Sequence, residues 1–234
     1  VTYWDSLRAA GVTLRIIGPT LADSASGRLS DDRTDERIRW WAERMLEEAE
    51  ATIDVEGREH VPAGESLVLM SNHRSYFDIP SVYVAVARRI RMVAKKELFR
   101  VPLFGSAMRV AGFIEVDRGA RDAAVASLRR GESLLRGGAC VWIAPEGTRT
   151  KTGKLGPFKS GGFHLALDAG VRILPIAIRG TEAVMSADSF EVRRGAKVSV
   201  KILPPVDAPS YGLGRRKELT ADVRRVIAEA LGET

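Results

Sequence analysis

The sequence predicts an α/β fold: a mixed, largely parallel sheet flanked by helices, with an N-terminal helical hairpin. Three observations carry this expectation. Short apolar runs such as 66–71, 139–144 and 171–178 recur along the chain, separated by segments of helical period. These runs are apolar at consecutive positions, the pattern of strands covered on both faces. Residues 1–51 instead show two apolar stripes at helical spacing.

Taken in order, Trp4, Leu7, Gly11, Leu14, Ile17 and Leu21 recur every three or four positions. They predict a helix over 1–21 with one apolar stripe and Arg8 and Arg15 beside it. Asp23 to Gly27 reads as a break. A second helix is expected over 31–51, with acidic residues at its start and Ile38, Trp41, Met45 and Ala49 on one side. Alternation at Ile53–Glu56 predicts a strand ending at Gly57, and 66–71 a short apolar strand. A helix over 76–88 tolerates Pro80 in its first turn. Strands follow at 90–94 and 112–116, then a helix over 121–136 with Val125, Leu128 and Leu135 inward and Gly137-Gly138 closing it. The strand at 139–144, the helix at 161–168, the strands at 171–178 and 197–203 and the helix at 219–231 complete the series. Pro175 interrupts its strand, which points to an edge or a bulge. Residues 1–51 are thus expected to form a helical segment and 52–234 the main domain.

A chain of 234 residues suits one large domain with a helical appendage. The longest apolar runs hold about nine residues, well short of the ~20 needed to span a bilayer, so none is expected to cross one. The chain begins at Val1 rather than Met, as a chain trimmed of an upstream segment would, and no signal peptide is visible. Cys140, the only cysteine, excludes an internal disulfide and lies in an apolar run where a buried thiol is expected. From Arg88 to Lys159, sixteen Lys and Arg face six Asp and Glu, a local balance of +10 in a chain whose net charge is +6. Nucleic acid, phosphorylated small molecules and anionic lipid all suit such a stretch, as does a merely solvated basic face. No nucleic-acid motif is present and aromatics are only 6%, which argues against nucleic acid.

The segment Asn72-His73-Arg74-Ser75-Tyr76-Phe77-Asp78 follows an apolar strand, where open α/β sheets build their sites. Five residues along a regular helix rotate by about 500°, so His73 and Asp78 can meet only if the chain bends between them. Bent, the aspartate can accept from one imidazole nitrogen and leave the other to take a proton. Spacing alone favours a structural or capping role over this one, and Asn72 and Ser75 fit capping too. A second segment, Pro145-Glu146-Gly147-Thr148-Arg149, follows another strand. Gly147 permits a tight turn, Arg149 offers a planar fork for phosphate, and Glu146 can hold a basic or hydroxyl group. Lys151, Lys154 and Lys159 strengthen the anion-site reading over that of a plain surface turn. A third strand, 112–116, delivers Arg118. His60 is expected in solvent and His164 in or near the core. No metal-ligand spacing and no Gly-x-Ser-x-Gly elbow occurs.

The order of these segments resembles the glycerolphosphate acyltransferase family. Its Asn-His-x-Ser-x-x-Asp motif is matched by Asn72, His73, Ser75 and Asp78, and its Pro-Glu-Gly-Thr-Arg motif by 145–149. The strand ending in arginine at 118, the apolar strand around Pro175 and the link at 94–105 fit the same pattern, over roughly 53–205. Ala144, where the family often has phenylalanine, and Glu115, at a commonly apolar position, depart from it.

The resemblance implies an acyltransferase acting through a His-Asp dyad. His73 would deprotonate the free hydroxyl of 1-acylglycerol-3-phosphate for attack on the thioester of acyl-CoA or acyl-carrier protein, giving phosphatidic acid; Asp78 would orient it. Arg118 and Arg149 would bind the acceptor phosphate, Glu146 and Gly147 would shape the pocket, and Thr148 and Lys96 would add substrate contacts. No cofactor or metal is implied. Partners are then the thioester donor, the lysophospholipid acceptor and a membrane surface, with a peripheral location on the cytoplasmic face of the cell membrane. The first helix either lies in the headgroup region or packs on the second. Another lysolipid acceptor, such as lyso-ornithine lipid, and a non-catalytic lipid-binding module are the rival readings; an intact His73 and Asp78 count against the second.

Overall fold

The structure, a computed structural model, describes residues 3–117, 121–150 and 152–233; for residues 3 and 121–125 it describes backbone alone. The order of elements is α1 Tyr3–Ala25, α2 Asp31–Glu48, β1 Thr52–Glu56, β2 Val68–Ser71, α3 Asp78–Val86, β3 Ile90–Lys95, α4 Lys96–Phe99, α5 Phe104–Val110, β4 Ile114–Val116, α6 Arg121–Arg136, β5 Cys140–Ile143, α7 Gly161–Ala169, β6 Ile173–Arg179, α8 Thr181–Val184, β7 Lys197–Ile202 and α9 Arg216–Ala230.

Among the described residues one sheet forms, in the order β1-β7-β6-β2-β5-β3-β4. Neighbours run parallel except β6 and β7, which are antiparallel. The sheet is therefore mixed and largely parallel, with helices on both faces. Side chains alternate across it as strand geometry requires. Leu67, Leu69 and Trp142 join one core with α2, α3 and Phe99, while Val68, Met70 and Val141 join another with α7 and α9. Burial on both faces is why the central strands β2, β5 and β6 are almost wholly apolar, whereas the outer β1 and β7 alternate.

Pro175 sits inside β6, a central strand between β2 and β7, and not on an edge. It is accommodated because the pairing of β6 with β7 begins only at Ile176, and Pro175 contributes its carbonyl there, accepting from the N–H of Leu203 at 3.0 Å. A residue's N–H and C=O point to the same side of a strand, so the missing donor falls just beyond that ladder.

The two N-terminal helices pack on each other, and α1 also lies against α5. The face that α1 buries shares only Ile17 with the stripe read from the sequence and is otherwise rotated away from it. Ala9, Val12 and Ile17 turn inward, whereas Trp4, Leu7 and Leu14 are 69%, 60% and 66% exposed. The helix is apolar on two faces, and spacing alone does not show which one finds the core. The acidic start of α2 is held by β3 and the residue before it: Arg91, buried, pairs with Asp31 and Asp35, and Arg89 with Asp31, Asp32 and Asp35. In the same stretch Lys96 pairs with Asp117, Arg109 with Glu115, and Arg88 donates to the carbonyls of Pro62 and Glu65. Much of the basic zone thus serves internal contacts. In α6 Leu135 is buried and Leu128 half-buried, and the Val125 side chain lies outside the description. No helix among the described residues is long and apolar enough to cross a membrane.

Candidate active site

The two principal motifs emerge from the carboxyl ends of adjacent parallel strands, β2 and β5. The chain leaves β2 at Ser71 and bends before α3 begins at Asp78. Asn72 does not cap that helix. Its side-chain amide donates to the carbonyl of Ile178 and accepts from the Ile178 N–H, both at 2.8 Å, so it continues the β2–β6 ladder by one rung. Ser75 does act locally, accepting the Phe77 N–H at 3.1 Å while its hydroxyl donates to the Met185 carbonyl at 2.7 Å.

The bend brings His73 and Asp78 together. Nδ1 of His73 lies 2.8 Å from Oδ2 of Asp78. The same oxygen accepts the N–H groups of Arg74 at 2.7 Å and Ser75 at 2.9 Å, and the Thr181 hydroxyl, at the start of α8, donates to Oδ1 at 2.5 Å. Asp78 is fully buried. A buried carboxylate surrounded by donors acts as acceptor, so the neutral imidazole carries its proton on Nδ1 and offers Nε2 as an acceptor. The ring meets the edge of Trp142 at 5.8 Å, and Trp142 is itself fixed by donation from its indole N–H to Ser71.

The second motif is tied to the first through backbone. The His73 N–H donates to Oε1 of Glu146 at 2.9 Å, and the His73 carbonyl accepts the Thr150 N–H at 2.9 Å. Oε2 of Glu146 accepts the Gly156 N–H at 2.8 Å. Burial pushes the Glu146 carboxyl above the usual carboxylate range, opposed by the hydrogen bonds from Gly156 and His73. Glu146 thus holds backbone, not a basic or hydroxyl group of another side chain. Gly147 has φ +76°, and a side chain there would meet Lys159 at 3.0 Å. Arg149 stacks 3.8 Å above the Tyr76 ring, which in turn stacks on Phe190. Its Nη1 is buried without a hydrogen-bond partner among the described residues, a donor poised for an anion.

Of the remaining predicted residues, Thr148 is exposed in the turn. Lys96 faces Asp117 in the ion pair described above, and Arg118 and Lys151 lie outside the described residues. His164 is half-buried in α7. His60 is not simply solvated, because Nδ1 lies 2.9 Å from the Ile202 carbonyl. Burial raises the Cys140 thiol pKa, so it stays protonated. No cluster able to hold a metal ion exists among the described residues.

Three contributions had no signal in the sequence: Thr181, Arg224 and Glu233. Glu233, beyond α9, pairs with the Arg74 guanidinium and accepts the Leu155 N–H. Glu182 also pairs with Arg74, at 3.5 Å. Arg224 donates to the carbonyls of Leu155 and Gly156. The C-terminal helix and tail therefore brace the loop that holds Glu146.

Beside the site, a cavity of about 430 Å³ opens between α1, α2, α3 and α5. Its walls are almost wholly apolar, including Ile17, Ile38, Trp41, Tyr83, Met92 and Met108, and it reaches Tyr76 and Phe77 within the first motif.

The family model described as Acyltransferase matches residues 52–179. The 1-acyl-sn-glycerol-3-phosphate acyltransferase of Salmonella typhimurium is 30% identical over 167 residues, covering 71% of this chain and 67% of that one. The chloroplastic 1-acyl-sn-glycerol-3-phosphate acyltransferase BAT2 of Brassica napus is 33% identical over 180 residues, 76% of this chain and 50% of that one. This chain thus spans about half the length of the plant relatives it matches. The crystal structure of the 1-acyl-sn-glycerophosphate acyltransferase PlsC from Thermotoga maritima superposes with a TM-score of 0.82 at 27% identity, covering 99% of this chain and 95% of that one.

Proposed function

The chain belongs to the acyltransferase family, and from that premise we propose that it transfers a fatty acyl group to the free hydroxyl of 1-acylglycerol-3-phosphate, giving phosphatidic acid. The donor is a thioester, acyl-CoA or acyl-carrier protein. The observation that carries this reading is the His73–Asp78 pair, with Nδ1 2.8 Å from the Asp78 carboxylate; a neutral imidazole in that contact keeps Nε2 as the acceptor.

In this mechanism Nε2 removes the acceptor's hydroxyl proton as the oxygen attacks the thioester carbonyl carbon. The imidazolium formed is stabilised by buried Asp78. The tetrahedral intermediate collapses with cleavage of the C–S bond, and the proton passes from His73 to the departing thiolate. No residue of the chain becomes acylated. Arg149, with its unsatisfied Nη1, binds the acceptor phosphate, and Arg118 assists it. Glu146 and Gly147 shape that pocket, with Thr148 and Lys96 at its margin. The apolar cavity takes an acyl chain, supported by its walls and its reach to Tyr76 and Phe77.

Residues 1–51 serve as a membrane-facing segment and 52–234 as the catalytic domain. The exposed face of α1, with Trp4, Leu7 and Leu14, rests at the lipid headgroups on the cytoplasmic face. Purified protein incubated with acyl-CoA or acyl-carrier protein and a panel of lysolipids tests the reading. Transfer preferring 1-acylglycerol-3-phosphate is expected. Transfer confined to an acceptor without phosphate would refute the assigned substrate.

A further inference from the structure

The segment between α4 and α5 holds a feature that catalysis does not use. Leu103 has φ +61° and ψ −49°, and the Phe104 N–H donates to the Pro102 carbonyl at 2.7 Å. This is the rare form of the γ-turn, strained for any residue with a side chain. Two other described residues besides glycine have positive φ, Glu50 and Ala87, and both stand just past helix ends where such backbone is common. Leu103 opens a helix instead.

Packing on either side holds the turn in place. Phe99 is buried, Phe104 lines the apolar cavity, and Gly105 lies so close to the Phe99 carbonyl that a Cβ would sit 2.1 Å from its oxygen. The chain must therefore reverse within a few residues. What it presents outward is apolar: Leu103 is 64% exposed and Val101 46%. A strained backbone that displays a bare leucine, rather than the glycine or asparagine such a turn favours, points to a use for that side chain.

We infer that the turn at Leu103 is a lipid-insertion point, separate from α1, that docks the rim of the cavity on an anionic bilayer. Charge and continuity select this partner. Arg100, exposed just before the turn, is suited to anionic headgroups, while Arg109 beyond it is exposed but shared with Glu115. The turn begins α5, against which α1 lies, and α1 exposes Trp4, Leu7 and Leu14. Phe104, next to the inserted leucine, is part of the cavity wall, so lipid chains would pass from bilayer to cavity along one apolar surface. The choice of a bilayer as partner rests on the lipid-acyltransferase reading, but the test below requires no turnover.

The intact chain and its Leu103→Gly and Leu103→Asn variants are sedimented with vesicles of phosphatidylglycerol and phosphatidylcholine, and their Tm values are measured without lipid. Both replacements tolerate positive φ, so Tm should hold or rise. Vesicle partitioning should fall about fivefold. Val101→Ser, which leaves the strained position alone, should reduce partitioning in the same direction. Unchanged partitioning of the Leu103 variants would overturn the inference. So would a lower Tm, because it would mean that the leucine packs against protein. Self-association of the lipid-free chain that Leu103→Gly abolishes would assign the turn to a second copy instead. Failure of acyl transfer with vesicle binding intact would count against the proposed reaction and leave the docking surface standing.

Discussion

His73 and Asp78 are joined at 2.8 Å through an oxygen that also accepts the N–H groups of Arg74 and Ser75. The bend between the two residues is thus held by the carboxylate it brings to the histidine. Asp78→Asn would turn an acceptor into a mixed donor and acceptor facing four donors, disturbing both the tautomer and the bend. Turnover should fall by about two to four orders of magnitude, as it should for His73→Ala. Single-turnover transfer from acyl-CoA checks this, and near-normal turnover in either variant would exclude the dyad.

Arg149 is presented by the Tyr76 ring. Arg149→Ala should raise KM for a phosphate-bearing acceptor by about tenfold or more with a smaller change in kcat. Tyr76→Leu should shift KM in the same direction by less, since a stacking contact of this kind contributes only ~0.5–2 kcal/mol. An unchanged KM in Arg149→Ala would place the phosphate elsewhere.

Glu146 supplies a pH dependence of known sign. Its carboxyl pKa is raised in the folded protein, mainly by burial. The associated stability is therefore full below the ordinary glutamate range, about pH 4, and is lost as pH rises through the raised value. Glu146→Gln does not titrate. The stability of the wild type relative to this variant should accordingly shrink as pH is raised from about 4 toward neutrality. Paired denaturant titrations at several pH values measure it, and a difference that grows with pH would contradict the assigned shift.

Glu233 joins Arg74 to the Leu155 N–H, one residue from the Gly156 contact that holds Glu146. Glu233→Ala should lower kcat several-fold with little change in KM for either substrate, because it loosens the backbone around His73 and touches no substrate. Glu233→Gln, which keeps one acceptor, should recover part of the loss. A change confined to Tm would reduce the contact to a structural one.

The strands and both principal motifs were legible in the sequence because their signals are local. A strand buried on both faces is apolar throughout, and His73 and Asp78 stand five positions apart. The helices α4 and α5 were not legible, since four and seven residues are too few to establish a period. The buried face of α1 was hidden for the opposite reason: its exposed face is equally apolar. Thr181, Arg224 and Glu233 reach the site from distant parts of the chain, where a single polar residue has no spacing to announce it. Of the two readings of Pro175, the edge is wrong, because β6 is central, while the bulge fits. Two residues of β6 at Pro175 stand opposite three between Ile202 and Val206, a pairing with a neighbour that arrives later in the sequence.

The pairing of β1 with β7 has to wait for most of the chain to be synthesised. Thr52 lies opposite Lys197, with nearly all of the sheet between them in sequence. A ribosome adding about 5–20 residues per second leaves β1 without its neighbour for on the order of ten seconds. Throughout that interval its hydrogen-bonding edge is open to other chains. Its alternating sequence, with Asp54 and Glu56 charged, is suited to the wait.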